Sequence, residues 1–561
     1  MIERLKRGEL NTEMDPMHTI LYKHTFKTTA KDWKAMLERT YFWIDWFSMP
    51  QPGAEKVEDI GEKEMNVLRA EGSMAIRSIP AYVERSDFIL ILVPSLYHSD
   101  RKVPTCYRTW RRRGWCLLEL YAAVMARDSS NPPLLVRSER GTPMWMSPLE
   151  ILKLSIGLAD FTCCQRNHVI TTETQKVMNN GGEVKKIPCD KPIAGGILKQ
   201  LSDAKIDHLF NAEADMVMAR WHIVLKHWWM RGLKKKEKIV ADENATAVQK
   251  LKKMLRWDTG KSWFDREGMG LLMYAVTADE FHVVSELLQM LKRDFNDDEY
   301  TRRLESRLQD EGYVSLGVPG RITALMAAMS FASADVVSIL LENGSNIESV
   351  DTMGHNAFML ASVFGRSRNL EYWIGRFPKW DLEKRNATMA TGVTALFLSA
   401  YFGAGKYDCT KLLLKAGCRA NVIALSGDSI LHLAAENEDS DPDVIRLILE
   451  RIGNTTRAVN MQSRASAISW QALYFTAKFL YRTRISKSAL FRSLAIEVGM
   501  SPLHRAVVRG DVEIVKIFLE HGADPYVEND LGMNAFEICD EAGPFPSVRN
   551  ILEESTAEES K

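Results

Sequence analysis

The chain has 561 residues, room for roughly three or four domains, or fewer if part of it is a repeat array. Lys plus Arg and Asp plus Glu stand at 73 each, so no net field selects nucleic acid or an anionic membrane. The charged start MIERLKRGEL lacks the apolar stretch of a secretory signal, and the eight cysteines show neither a disulfide framework nor paired zinc spacing. A reduced, cytoplasmic protein without a resident metal is expected, and the short apolar run at 88–93 excludes itself as a membrane span.

Residues 1–165 read as an α/β unit. Thr19–Tyr22 is the candidate for an opening strand. KDWKAMLERT at 31–40 predicts a short helix, and YFWID at 41–45 a strand ending in a carboxylate, followed by the breakers Pro50, Pro52 and Gly53. Residues 54–72 are charged, nearly free of large apolar side chains, and read as a loop. Ile76, Ile79 and Val83 recur at helical spacing across 74–84, with Pro80 expected to kink or end that helix. DFILILVP at 87–94 is apolar enough to be a fully buried strand, Gly114–Arg127 a strong helix, and 133–136 another strand. Strands alternating with helices predict a parallel sheet with helices on its flanks.

These elements resemble the TIR domain. Ile44-Asp45 at a strand end, the helix from Ala75 to Ser86, the strand from Phe88 to Val93 and the string Trp115-Cys116-Leu117-Leu118-Glu119-Leu120 stand where that family has its counterparts. The string from Trp43 to Gln51 is also similar to the heterokaryon-incompatibility domain. The resemblance implies self-association or signalling. In enzymatically active TIR domains it also implies that the helix glutamate, here Glu119, assists cleavage of the nicotinamide–ribose bond of NAD, which would be a substrate rather than a resident cofactor. A carboxylate in a partly dry cleft could stabilise the oxocarbenium-like centre of such a reaction. The alternative is that Glu119 is a solvated residue of an amphipathic helix, or a local partner of Arg111–Arg113. Cys116 has no local His or Asn motif that would make it a nucleophile.

Residues 166–260 read as a helical connector, with a turn at Asn179–Gly182. Over 209–233, Met216, Trp221, Val224, Trp228 and Trp229 precede the basic run at 234–238. Tryptophans beside lysines suit anionic lipid or a nucleic-acid backbone, but also a helix that packs its aromatics and leaves the lysines in water at its C-terminus. The second reading is preferred.

From 261 to 555 a unit recurs. Its openings are Gly268, Gly320, Gly354, Gly392, Gly427, Gly499 and Gly532, and its central apolar positions are Leu272, Leu325, Phe358, Leu396, Leu431, Leu503 and Phe536. The intervals between those positions are 53, 33, 38, 35, 72 and 33 residues. The stretch 499–531 shows the unit whole. Ser501 is placed to cap a helix that starts on Pro502, with Leu503, Ala506 and Val507 on one face. Asp511 caps a second helix, and Gly522 stands where a left-handed stop is needed. Ser501-Pro502-Leu503-His504-x-Ala506 resembles the ankyrin repeat's T-P-L-H-x-A. That resemblance implies an all-α solenoid of seven clear units, with His432 and His504 in structural positions. An eighth, degenerate unit near 464–498 would fill the 72-residue gap, since QALYFT at 471–476 can be laid over the motif. It is expected to have a lengthened first helix with Trp470, Tyr474, Phe475, Phe479 and Tyr481 turned inward and its bases exposed, the rival being a surface helix on anionic membrane.

A stacked array presents a long concave surface suited to a protein partner. The sequence therefore reads as a protein–protein interaction or scaffold protein, its solenoid choosing the partner and its TIR-like domain signalling or self-associating. An NAD-cleaving hydrolase regulated by the array is the alternative, and nucleic-acid binding is disfavoured by the charge balance.

Overall fold

The computed structural model describes residues 2–14, 26–37, 39–41, 62–98, 103–127, 132–139, 141, 143–146, 154–165, 167–170, 185–186, 188–211, 215–233, 238–257, 263–264, 270–310, 312–313, 316–386, 391–402, 406–437, 441–486 and 488–559. The expected elements at Thr19–Tyr22, Ile44-Asp45 and Asn179–Gly182 lie outside them.

The C-terminal half follows its periodicity. Seven helix pairs stand in order among the described residues: Leu271–Thr277 with Phe281–Asp294, Ala324–Phe331 with Ala334–Glu342, Ala357–Val363 with Ser367–Arg376, Ala395–Tyr401 with Lys406–Ala416, Ile430–Glu436 with Pro442–Leu449, Pro502–Arg509 with Val512–Glu520, and Ala535–Ala542 with Pro546–Glu559. They are repeats one to seven below. First helices pack on first helices and second on second, each touching its neighbours. The local chemistry matches its reading: the Ser501 hydroxyl accepts from the His504 amide, Pro502 opens the helix, Gly510 closes it at φ +67°, and the Asp511 carboxylate accepts from the Glu513 and Ile514 amides. Leu325, Leu396, Leu431 and Leu503 are all within 1% of complete burial.

The degenerate eighth repeat is corrected. The first helix of repeat five packs directly on that of repeat six, so the array runs on past this stretch. Residues 468–483 and 489–497 instead form a helical hairpin with its own small core of Trp470, Tyr474, Ala477, Leu494, Ala495 and Val498. A first helix of 16 residues is about twice the length of its counterparts and cannot lie in register with them. Gly427, at φ +94°, marks where the insertion crosses: a β-carbon there would meet the Arg464 backbone at 2.2 Å.

The N-terminal region contains a five-stranded sheet of β1 (Thr12–Met14), β2 (Lys27–Thr28), β3 (Leu90–Leu92), β4 (Leu134–Val136) and β5 (Met144–Trp145), in the order β2-β1-β5-β4-β3. The expectation of a parallel sheet is corrected. β1–β5 and β3–β4 are parallel, but β1–β2 and β4–β5 are antiparallel. Seven residues separate β4 from β5, too few for the crossover a parallel pair needs. β3 is an edge strand, so it is not buried throughout: Leu92 is 63% exposed. The loop expected at 54–72 is helical from residue 62, and that helix runs from Glu62 through Pro80 to Glu84. β1 carries no apolar run and gave no signal. It is buried because the sheet closes around it.

The connector helix Met216–Trp229 buries Trp221, Trp228 and Trp229 almost completely. Trp228 meets Phe331 and Phe364 edge-on at 5.7 and 6.3 Å, at the ends of the first helices of repeats two and three. One hydrophobic core runs from Ile91 in the sheet, through this helix and the repeats, to Leu552.

Candidate interaction surface

The residues singled out by the repeat pattern serve the core. The Ser429 amide donates to His432 Nδ1 at 3.1 Å, which places the imidazole proton on Nε2, where it donates to the Met500 carbonyl at 3.0 Å. The Ser501 amide donates to His504 Nδ1 at 3.0 Å in the same way. Burial holds both imidazoles down to about 4, so neither charges near neutrality. Pro502, Leu503 and His504 face inward and are closed to a ligand.

Glu119 is half-buried on the Gly114–Met125 helix. Trp115, one turn earlier on the same helix, donates its indole N–H to the Asp190 carboxylate at 3.1 Å. Cys116 is buried in the core of that helix. None of the three lines the cavity described below.

The face made by the first helices is covered by the chain itself. At repeats one to three the cover is the tryptophan helix. At repeats six and seven it is the α/β region, held by a clasp with no counterpart in the repeat pattern. Arg108, 4% exposed, gives two hydrogen bonds to the Asp511 carboxylate, at 2.7 and 3.2 Å, and one to Glu513 at 2.8 Å. Asp511 thus caps a repeat helix and pairs a cation 403 positions away. Burial opposes the charge on Arg108, but Asp511 outweighs it and holds the guanidinium protonated. Beside the clasp the Ser95 hydroxyl donates to the Gly510 carbonyl at 2.6 Å, and the Ser138 hydroxyl to the Ala542 carbonyl at 2.8 Å.

Between the sheet and the first helices of repeats four to seven lies a cavity of about 240 Å³. Met14 and Leu135 wall it on one side, and Phe397, Tyr401, Leu433 and Val508 on the other. At its polar end Arg505, 4% exposed, pairs with Asp428 at 3.2 Å, Glu436 at 3.3 Å and Glu497 at 3.1 Å. Burial pushes the Glu436 carboxyl up to about 7, against the pull of Arg505 and with the help of Glu497. Glu497 belongs to the inserted hairpin, so this network ties the insertion to the repeats.

The outward side of that hairpin is different. Ile468, Phe475 and Phe479 recur at i, i+7 and i+11, one helical face, and are 83, 70 and 52% exposed. The aromatics on the opposite face, Trp470 and Tyr474, are buried. Around the apolar stripe the stretch 464–492 carries bases and no acid. Arg464 and Lys478 pair with the Asp530 carboxylate at 3.0 and 2.8 Å, and Arg482 donates to the Asp530 carbonyl at 3.4 Å, which anchors the hairpin to the loop before repeat seven; Arg482 and Arg484 are exposed. The expectation that the aromatics of this stretch all turn inward is corrected at Phe475 and Phe479, because which rings are buried depends on which face meets the second helix of the hairpin.

Comparison with known proteins agrees on the repeats. The ankyrin repeat model matches residues 498–530. The chain is 26% identical over 242 residues to the E3 ubiquitin-protein ligase KEG of Arabidopsis thaliana, covering 41% of this chain and 14% of that protein. It is 33% identical over 137 residues to the tyrosine-protein kinase Shark of Drosophila melanogaster, covering 23% of this chain and 14% of that one. It is 26% identical over 211 residues to the nuclear factor NF-kappa-B p105 subunit of Gallus gallus, covering 37% and 17%. Among solved structures, the ankyrin repeat domain of Bcl-3 is similar over 51% of this chain and 100% of its own, at 22% identity and a TM-score of 0.34. The chain thus spans less than a fifth of the length of these curated relatives. The C-terminal half contains ankyrin repeats, a protein–protein interaction architecture, and among the described residues no helix is long and apolar enough to cross a membrane.

Proposed function

We propose that the protein binds an acidic protein partner through the outward face of the inserted hairpin, with the repeat array as its scaffold. The observation that carries this is the stripe Ile468, Phe475 and Phe479, a solvent-facing apolar surface on a helix whose other face is packed. Apolar area of this kind rimmed by polar groups is the mark of an interface, and aromatic anchors supply most of the energy of one. The exposed Arg482 and Arg484 beside it favour a partner of opposite charge. The first-helix face, where a solenoid partner was expected, is filled by the chain's own tryptophan helix and α/β region. In this reading the α/β region serves to cover that face, and a signalling or self-association role for it rests on its TIR resemblance alone.

The test is capture of partners by the full chain and by a Phe475→Ser/Phe479→Ser variant, each checked by circular dichroism. The wild type is expected to retain a partner that the variant loses, with the two melting alike. Equal capture would overturn the assignment. Co-sedimentation of the wild type with anionic vesicles, abolished by charge reversal at Arg482 and Arg484, would assign the stripe to a membrane instead. NAD cleavage is the less supported reading, since Glu119 lies away from the cavity and Trp115 is engaged with Asp190. Purified protein incubated with NAD is expected to release no nicotinamide, and a release lost in Glu119→Gln would reinstate it.

A further inference from the structure

The cysteine spacing that argued against a metal in the linear sequence looks different once the chain is folded. Cys163 and Cys164 lie on the short helix Thr162–Gln165, which runs straight into a two-stranded ribbon, Val169–Ile170 paired antiparallel with Lys185–Lys186. The ribbon returns the chain so that Cys189, twenty-five positions after Cys164, sits beside it at 3.8 Å between sulfurs. Cys163 and Cys164 have their sulfurs 4.0 Å apart. The ligand atoms of Cys163, His168 and Cys189 lie within 4.8 Å of one another, a group that Cys164 does not join: its sulfur meets those of Cys163 and Cys189 but stands farther from the imidazole.

We infer that Cys163, His168 and Cys189, with the adjacent Cys164 turning in as fourth ligand when the ion binds, form a structural zinc site that pins the ribbon and the start of the Lys191–Asn211 helix to the α/β region. Three thiolates and one imidazole are a zinc donor set, and four protein ligands leave no open position for catalysis. With Zn–S bonds of about 2.3 Å, sulfurs at two corners of a tetrahedron stand ~3.8 Å apart, which is the spacing of Cys164 from Cys189 and close to that of Cys163 from Cys164. Two further observations point the same way. Asn167 and His168 are consecutive non-glycine residues in the left-handed region, at φ +51° and +59°, a backbone cost that persists only where something compensates it. Here it returns His168 toward the cysteines, with the His168 amide bonded to the Cys163 carbonyl at 2.7 Å. The Asp190 amide donates to the Cys163 sulfur at 3.4 Å, the outer contact a metal thiolate uses to spread its charge.

The site has something to fasten. Next to Cys189, the Asp190 carboxylate accepts from Trp115 on the Gly114–Met125 helix at 3.1 Å, and Lys191 donates to the Gly157 carbonyl at 2.7 Å. One ion therefore couples the ribbon, this helix and the connector. A disulfide is the competing use of the same sulfurs, but all eight cysteines are free, and 3.8 Å is nearly twice the length of an S–S bond. Loading the site releases the three thiol protons, so retention weakens as pH falls.

The experiment is metal analysis by mass spectrometry of the full chain, expressed with zinc and purified under reducing conditions. One zinc per chain is expected, lost in Cys189→Ser and reduced in His168→Ala. Cobalt(II) exchanged into the wild type should give the visible bands of a tetrahedral site together with thiolate-to-metal charge transfer, a readout that does not depend on any variant folding. A strong chelator should lower the melting temperature of the wild type. Wild-type protein without zinc, zinc content unchanged in Cys189→Ser, or cobalt spectra lacking the charge-transfer band would each overturn the site. A Cys164–Cys189 cross-linked peptide in the metal-free protein would overturn it in favour of a disulfide.

Discussion

The repeats and the sheet face each other across one cavity, yet they are held in opposite ways. Each repeat buries its apolar face against the units beside it, so almost every contact that stabilises Leu325 or Leu396 comes from within a few tens of residues. The α/β region instead pairs β1 with β5 across some 130 positions and leans on the far end of the array through Arg108, on the short helix Tyr107–Arg111, and Asp511. One region could lose an end and keep its middle. The other depends on partners that only the folded array brings close.

The comparison breaks most visibly at the clasp. Arg108→Ala leaves the Asp511 carboxylate buried without its cation and should cost ~3–5 kcal/mol. Hydrogen exchange should rise in the α/β region and repeat six and stay unchanged in repeats one to three. A second change, Asp511→Asn, which keeps the helix cap, should recover part of the loss, and a uniform rise along the array would refute the division. Leu325→Ala should cost ~2–5 kcal/mol, felt in repeats one and three and not in the sheet. Exchange that left those flanking repeats untouched would count against a solenoid.

The charged end of the cavity gives a titration in place of a truncation. The folded protein holds the Glu436 carboxyl near 7, against 4.5 for an ordinary one, so between those values it keeps a proton that the unfolded chain has lost. The contribution is full below about 4.5 and is lost as pH rises through 7, on the order of 3 kcal/mol in all. His432 and His504, lowered to about 4, slope the other way: their contribution is present above the ordinary 6.5 and falls as pH drops toward 4. The difference between wild type and Glu436→Gln, measured by denaturant melts from pH 5 to 8, cancels the histidines. The variant should gain on the wild type as pH rises, and parallel curves would rule out a buried proton on Glu436. The smallest expected effect is on the hairpin, where Phe475→Ser and Phe479→Ser should each shift stability by no more than ~0.5 kcal/mol. A larger loss would mean that these rings are packed and not a binding face.

The sequence by itself determined the repeats: their openings, caps and apolar positions recur at a period, and because a repeat's contacts are local, the pattern and the packing carry the same information. It also determined, to within three residues at either end, the Gly114–Met125 helix and the strands at 90–92 and 134–136. Only the tertiary structure decided that β4 and β5 run antiparallel, that the 72-residue gap holds a long helical hairpin outside the stack of first helices, and that the first-helix face meets the chain's own N-terminal half. It alone brought Arg108 to Asp511, Glu497 to Arg505, and Cys189 to Cys163 and Cys164. Each of these meetings joins residues whose separation follows no period, and nothing in a residue's own neighbourhood states which distant group the closed fold will place beside it.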